Sequence, residues 1–354
     1  MNWLTEIARP EIRAMKAYEH AVWEPGLIRL HANELPWRAQ GDSSIAGLNR
    51  YPEPHPQQLT AALARFYGVG ADMLLAGRGS DELIDLLIRS YCRAGKDAVI
   101  ICPPTFGMYA VAARIQGASV LEVPLQRDAG YGFDPQALLE RCTPGVKLVF
   151  LCSPNNPTGN RLDSRAILGL ARALEGRALV VVDEAYVEFA DAPSLTAGIA
   201  DHPGMVVLRT LSKAHGLAGA RCGALLGHAA VVALLRKVIQ PYAVTQLTIE
   251  AVLRSLESAA LEQSRGRAAL LRAERVRVAA ALAESRGVLK VWPSDANFLL
   301  VEFQDAAAAL QRSHAAGLLV RDLRAAPGLA RALRISIGTT EQNDRLLASL
   351  RNLP

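Results

Sequence analysis

The chain is short of lysine. It has six among 354 residues, although lysine and arginine together number 39. Other absences narrow the function classes. No apolar run reaches the ~18 residues that span a bilayer, and Met1-Asn2-Trp3-Leu4-Thr5-Glu6-Ile7-Ala8-Arg9-Pro10 lacks a signal-peptide core. The five cysteines, at 92, 102, 142, 152 and 222, are scattered and form no Cys-x-x-Cys. Neither a disulfide framework nor a zinc knuckle is indicated, so no metal is expected and the expected compartment is the cytoplasm. Val181-Val182-Asp183-Glu184 resembles a Walker B strand, but no Gly-x-x-x-x-Gly-Lys-[Ser/Thr] accompanies it, which excludes a P-loop cradle. Gly77-x-Gly79 is followed by Glu82 where a dinucleotide fold needs glycine, and that carboxylate would repel a pyrophosphate. Aromatic residues make up 5% of the chain. None interleaves with its densest basic stretch, Arg265, Arg267, Arg272, Arg275 and Arg277. That stretch reads as a solvated helix face, not a nucleic-acid platform.

What is present describes an enzyme-sized globular chain. With 51% hydrophobic residues it can fill a large core, and it is too long for one compact unit. Strand patterns fall at Met73–Ala76, Ala98–Cys102, Ser119–Val123, Leu148–Cys152, Leu179–Asp183, Val206–Thr210 and Gly223–Leu226. Helical patterns fall between them at Pro56–Phe66, Asp81–Tyr91, Met108–Gln116, Pro135–Arg141 and Ser164–Leu174. The alternation predicts an α/β fold with a mostly parallel sheet. After Pro241, one long helical stretch is expected over Thr245 to Glu284. Val288–Trp292, Phe298–Phe303, a helix near Asp305–Ala316 and Arg334–Ile337 follow, and read as a smaller α+β unit. The net charge of +5 would speed the approach of phosphorylated small molecules.

One of the rare lysines sits in Thr210-Leu211-Ser212-Lys213-Ala214-His215-Gly216-Leu217-Ala218-Gly219-Ala220-Arg221, just after the apolar Val206-Val207-Leu208. A lysine at a buried strand end is costly as an ammonium, and a neutral amine is what Schiff-base chemistry needs. Bringing it from about 10.4 to about 7.5 takes roughly 4 kcal/mol of environment. Upstream, Leu179-Val180-Val181-Val182 ends in Asp183-Glu184-Ala185-Tyr186. Leu148-Val149-Phe150-Leu151-Cys152 ends in Ser153-Pro154-Asn155-Asn156-Pro157-Thr158-Gly159. Ligands of open α/β sheets bind outside the carboxyl ends of the strands, so Asn156, Asp183, Tyr186 and Lys213 are expected in one crevice.

Each of these residue types fits pyridoxal 5'-phosphate. Lys213 would hold the aldehyde as an imine. Asp183 would pair with the ring nitrogen and keep it protonated. Tyr186 and Asn156 would bond the ring oxygen. Arg221 with the Ser212 and Thr210 hydroxyls would hold the phosphate. Ser80 and Asp81 open a helical pattern after Gly77-Arg78-Gly79, where exposed N–H groups make an anion site.

With these motifs the chain resembles the fold-type I PLP-dependent aminotransferases of class I/II. Ser-Pro-Asn-Asn-Pro-Thr-Gly, Val-Asp-Glu-Ala-Tyr and Thr-Leu-Ser-Lys-Ala-His-Gly-Leu-Ala-Gly-Ala-Arg carry the resemblance in order and spacing. Within that family it is similar to the histidinol-phosphate aminotransferases. Tyr51-Pro52-Glu53-Pro54, His31-Ala32-Asn33-Glu34, Pro104-Thr105-Phe106-Gly107-Met108-Tyr109 and Leu333-Arg334-Ile335-Ser336-Ile337-Gly338-Thr339 carry the narrower match. Aromatic amino-acid aminotransferases and threonine-phosphate decarboxylases share some of these motifs and stand as alternatives.

The resemblance implies a large PLP-binding domain over residues 31–243, with a mostly parallel mixed sheet. It implies a smaller domain over 244–354, and an N-terminal arm, residues 1–30, packing with it. It makes Lys213, Asp183 and Tyr186 catalytic, and puts Phe106 on the cofactor ring where the family has tyrosine. It implies a homodimer in which Tyr51 reaches the phosphate of the neighbouring subunit. Arg334 would anchor the substrate anion, with Arg321, Tyr18 and Asn33 as further substrate residues. Leu35-Pro36 departs from the family's Asn-Pro at the entry loop. The implied substrates are histidinol phosphate and glutamate/2-oxoglutarate, with no nucleic acid or membrane partner.

Overall fold

The computed structural model describes residues 3–20, 24, 26–351 and 353. Its helices are α1 (Trp3–Glu6), α2 (Pro10–Ala14), α3 (Gln57–Tyr67), α4 (Ser80–Tyr91), α5 (Met108–Gln116), α6 (Pro135–Arg141), α7 (Ser164–Ala173), α8 (Ala229–Arg236), α9 (Gln246–Ser255), α10 (Ser258–Ala283), α11 (Ala306–Ala315) and α12 (Thr340–Leu350). The strands are β1 (Leu74–Gly77), β2 (Ala98–Ile101), β3 (Ser119–Glu122), β4 (Val146–Cys152), β5 (Leu179–Asp183), β6 (Met205–Thr210), β7 (Gly223–Leu226), β8 (Val288–Val291), β9 (Phe298–Phe303), β10 (Arg321–Asp322) and β11 (Ala332–Ser336).

Local chemistry sets many of these limits. Asp134 and Asp163 cap α6 and α7 with their carboxylates, and Pro135 starts α6 where its missing N–H costs nothing. Gly68 and Gly117 end α3 and α5 in the left-handed conformation. Thr339 and Gln342 form a capping box on α12.

Strands β1 to β7 form one sheet in the order β1-β7-β6-β5-β4-β2-β3. The inner pairs are parallel, and β7 runs antiparallel to both β1 and β6. Every residue of β2, β4 (save Lys147), β5 and β6 is buried, as expected where helices cover both faces. One face packs on α3, α6, α7 and α9, the other on α4, α5 and α8. A second, antiparallel sheet has the order β10-β11-β9-β8. Its core joins Leu299, Val301 and Phe303 to Val278 and Leu282 of α10 and to Leu346 and Leu350 of α12.

Three features depart from the sequence reading. The helical stretch after Pro241 is two helices, broken at Leu256 and an extended Glu257. The first of them, α9, puts Ile249 and Val252 into the core of the large sheet. The described part of the N-terminal arm lies on the large sheet's side: Leu4, Ala8 and Ile12 join the core with α4 and α8, and Tyr91 Oη donates to the Leu4 carbonyl at 3.1 Å. Residues 1, 2, 21–23 and 25 of that arm lie outside the described residues. No helix among the described residues is long and apolar enough to cross a membrane.

Two glycines bring β7 and the start of α4 together. Gly79 has φ +83°, a conformation that side chains resist. A Cβ on Gly223 would stand 2.6 Å from the Gly79 carbonyl carbon and 2.7 Å from the Ser80 nitrogen. Both contacts are to backbone, which cannot swing aside. Gly223→Ala is therefore expected to destabilise the protein by about 1–3 kcal/mol, measured by urea unfolding. A variant as stable as the parent would mean that this approach relaxes freely.

Candidate active site

The parallel strands end at one edge of the sheet, and their last residues make the site. Cys152 closes β4 directly opposite Asp183 at the end of β5, and Thr210 closes β6 opposite Gly223 of β7. The loops after these strands supply Asn156, Ala185, Tyr186, Ser212, Lys213, Ala218 and Arg221. Together with Ser80, Asp81 and Phe106 they line a single cleft. Thus ten residues proposed from sequence (Ser80, Asp81, Phe106, Asn156, Asp183, Tyr186, Thr210, Ser212, Lys213 and Arg221) come together there.

Asp183 is 3% exposed. Its Oδ2 accepts the Tyr109 hydroxyl at 2.7 Å and its Oδ1 accepts the Ala185 N–H at 3.1 Å. Those bonds favour the anion, yet burial outweighs them and lifts the carboxyl to a pKa of about 6. A fully buried carboxylate held that way calls for a cation. Lys213 in turn is pulled below the ordinary lysine range, by burial first and then by the Arg334 guanidinium, against the pull of Asp81 and Asp183. Its Nζ lies 5.6 Å from the centroid of the Tyr186 ring. Asn156 Nδ2 donates to the Tyr186 hydroxyl at 3.4 Å, and both residues line the cleft with Lys213.

The anion donors cluster where β6, β7 and α4 meet. Thr210 Oγ1 bonds Ser212 Oγ at 3.0 Å, and Arg221 Nη1 reaches Ser212 Oγ at 3.4 Å. Arg221 itself has φ +56°, a rare conformation for a side-chain-bearing residue. Its Nη2 pairs with the Asp81 carboxylate at 3.2 Å. Ser80 and Asp81, in the first turn of α4, line the same cleft, and the N–H groups of a helix's first turn are anion donors. Asp81 belongs to the site through that turn, and its carboxylate is a competitor for Arg221, not an anion donor.

These residues fit pyridoxal 5'-phosphate. The buried carboxylate suits a protonated ring nitrogen, the amine of lowered basicity suits an aldehyde, and the hydroxyl–guanidinium–helix cup suits a phosphate. Phe106 presents an aromatic ring edge-on to Tyr109 at 5.6 Å.

The remaining sequence-predicted residues are placed differently. Arg334 is half-buried, donates to Asn156 Oδ1, and lies with its guanidinium 5.3 Å from the Phe298 ring centroid. Arg321 is exposed and directly opposite it in the β10–β11 pair. Tyr51 and Asn33 line a separate cleft with Glu34, Arg50 and Tyr242. Tyr51 is 50% exposed and stacks on Tyr242 at 4.7 Å. Tyr18 is 67% exposed, with its ring edge against His20.

Sequence reasoning missed Tyr109, the partner of Asp183. It sits in the first turn of α5, stacked on Phe150 at 4.8 Å. Its only signal was its place near the end of the Pro104–Tyr109 motif. Cys152 was read as a small buried residue, and it also lines the cleft.

The raised carboxyl has a stability consequence. A folded-state pKa above the unfolded one means that the folded protein holds the proton more tightly. The ionised form then costs stability, a cost that sets in as pH rises from about 4 to about 6. Cofactor-free Asp183→Asn is thus expected to be more stable than the parent at pH 7, by on the order of 2–3 kcal/mol, and to match it more closely near pH 4. Urea unfolding of both proteins at the two pH values measures this, and equal stability at pH 7 would contradict it.

A family model described as aminotransferase class I and II matches residues 31–350. A histidinol-phosphate aminotransferase of Xylella fastidiosa (strain 9a5c) is 49% identical over 352 residues, covering 98% of this chain and 96% of the relative. One of Stenotrophomonas maltophilia (strain R551-3) is 47% identical over 348 residues, covering 97% and 95%. The crystal structure of histidinol-phosphate aminotransferase from Sinorhizobium meliloti in complex with pyridoxal-5'-phosphate is similar with a TM-score of 0.78 at 28% identity. That match covers 86% of this chain and 82% of the other.

Proposed function

The chain belongs to the aminotransferase class I and II family, and we propose that it is a pyridoxal-5'-phosphate-dependent transaminase of L-histidine biosynthesis. It interconverts histidinol phosphate plus 2-oxoglutarate with imidazole-acetol phosphate plus glutamate, the second pair being the biosynthetic substrates. Relatives of that name, 47–49% identical over almost the whole chain, support the substrate pair. The observation that carries the reading is the shared cleft of Lys213, the buried Asp183 and the Thr210–Ser212–Arg221 anion cup.

When bound, the cofactor supplies an aldehyde and a protonated ring nitrogen that draws electrons from the substrate's amino-bearing carbon. Asp183 would keep that nitrogen protonated, and Tyr109 and the Ala185 N–H hold its carboxylate in place. Lys213 Nζ would hold the aldehyde and, once freed, would carry the proton between the substrate's amino-bearing carbon and the cofactor carbon. Burial and the Arg334 guanidinium lower its basicity, which favours the neutral amine that both tasks use. Tyr186 and Asn156 would hold the ring oxygen, Phe106 would cover the ring, and Ser80, Thr210, Ser212, Arg221 and the Asp81 turn would hold the phosphate.

Substrate anions fall to Arg334 and Arg321. Two arginines directly opposite across antiparallel strands repel each other, and a bound carboxylate or phosphate removes that repulsion. Arg334, half-buried with a neutral amide as partner, is the anchor.

We further propose a homodimer, a cytoplasmic one. Leu27, Ile28, Leu30, Leu35, Trp37 and Ile45 are each at least 65% exposed. Such a run of apolar side chains marks an interface. It adjoins the cleft of Asn33 and Tyr51, and a second copy seated there would bring Tyr51, Asn33 and Tyr18 to its own site.

The test mixes the loaded enzyme with histidinol phosphate, glutamate, phenylalanine or tyrosine and follows the bound-cofactor absorbance. Histidinol phosphate and glutamate are expected to react. Arg334→Ala should slow both by roughly 10- to 100-fold, the loss of a charged hydrogen bond to substrate. Full rates in Arg334→Ala would refute the anchor. Reaction with phenylalanine but not histidinol phosphate would replace the proposed substrate with an aromatic amino acid.

A further inference from the structure

A layer of buried charge lies under the cleft. Asp183 and Glu184 are consecutive on an extended chain and face opposite ways: Asp183 lines the cleft, while Glu184 packs below it. Thr210 and Arg209 divide in the same manner on β6. Glu184 accepts Ser194 Oγ and the Leu195 N–H at 2.7 Å, and lies 3.7 Å from the Arg209 guanidinium. Arg209 donates to Glu188 Oε1 at 2.7 Å and to Ser194 Oγ at 3.1 Å, with Tyr67 4.8 Å beneath its guanidinium. His215 closes the group: its Nε2 is 3.9 Å from Glu188 Oε1, and its ring meets Phe66 edge-on at 5.3 Å. The side chains of Glu184, Arg209 and His215 are 3%, 8% and 5% exposed.

The chain positions of these groups matter. Glu184 and Glu188 bracket Tyr186, and His215 lies two residues beyond Lys213. One guanidinium thus ties both ends of the Tyr186 turn to β6, and the His215 ring of the Lys213 loop packs beside Glu188 without hydrogen-bonding it. None of these side chains lines the cleft. Ion pairs buried this deeply are held rigidly, because moving either partner strands a charge without water.

We propose that Arg209 and Glu188 are positioning residues for the reaction inferred above: the Glu184–Arg209–Glu188–His215 cluster fixes the Tyr186 hydroxyl and the Lys213 amine relative to Asp183. This rests on the reading of the cleft as a cofactor site. Displacement of a reacting group by about 1 Å costs up to about 100-fold in rate, so a support that neither touches substrate nor lines the cleft can still govern turnover. The titratable groups facing Arg209 and His215 are Tyr67, Glu184 and Glu188.

The test compares the loaded parent enzyme with Glu188→Gln, Arg209→Lys and Arg209→Met. Three quantities are read: the pH midpoint of the bound-cofactor absorbance, the cofactor dissociation constant, and kcat and KM with histidinol phosphate. Glu188→Gln keeps the shape and removes one charge. It is expected to fold, to raise the absorbance midpoint by about half a pH unit or more, because Tyr186 no longer donates squarely to the ring oxygen, and to lower kcat about tenfold with KM little changed. Arg209→Lys should recover part of what Arg209→Met loses. If the Arg209 variants do not fold, Glu188→Gln decides alone. Folded variants with the parent's midpoint and kcat, even if they melt earlier, would overturn the proposal and leave the cofactor site standing. A parent enzyme with no bound-cofactor absorbance would overturn the reading of the site and this inference with it.

Discussion

The unpaired anion of Asp183 governs this molecule. A carboxylate 3% exposed and raised to about 6 by burial is a standing cost, which the cationic ring nitrogen of the proposed cofactor site would offset. Its two internal hydrogen bonds aim it without neutralising it. The Lys213 amine shows the converse: burial and neighbouring guanidinium charge weaken its hold on a proton. One environment holds an acid and a base away from their usual values in opposite directions, the usual signature of a site built for proton transfer.

The sheet delivers both groups through simple geometry. Parallel strands β4, β5 and β6 end at the same edge, so Cys152, Asp183 and Thr210 arrive together although their sequence positions are far apart. Antiparallel β7 returns beside β6 and lays Arg221 across the start of α4. That crossing works only because Gly79 and Gly223 have no side chains to obstruct it. The alternation of an extended chain then splits the layers, with the chemistry above and the charge cluster of Glu184, Arg209 and Glu188 below.

Much of this was legible from residues alone. All seven strands of the large sheet were located; the buried ones leave continuous Val/Ile/Leu signals, while β3, with no buried residue, showed only the short Val120-Leu121 run. The convergence of Asn156, Asp183, Tyr186 and Lys213 followed from the rule that strand ends share an edge. What escaped had weak local signals. The two residues of β10 show no periodicity, and α8 is apolar nearly all round. The break between α9 and α10 carries neither glycine nor proline. Tyr109 escaped because its role depends on a partner far away in sequence. The start of the arm was expected beside the smaller sheet and instead buries Leu4 and Ile12 against α4 and α8, a contact that only the folded surface specifies. Tyr51, Asn33 and Tyr18 stand outside the main cleft, on the side that the proposed second copy would share.

The account stands or falls on the bond between Lys213 and the cofactor. Borohydride reduction of the loaded protein, followed by peptide mass spectrometry, tests it directly. The account predicts bleaching of the absorbance and one added cofactor mass, confined to the peptide that carries Lys213. An unmodified Lys213 peptide, or the added mass on another of the six lysines, would contradict it.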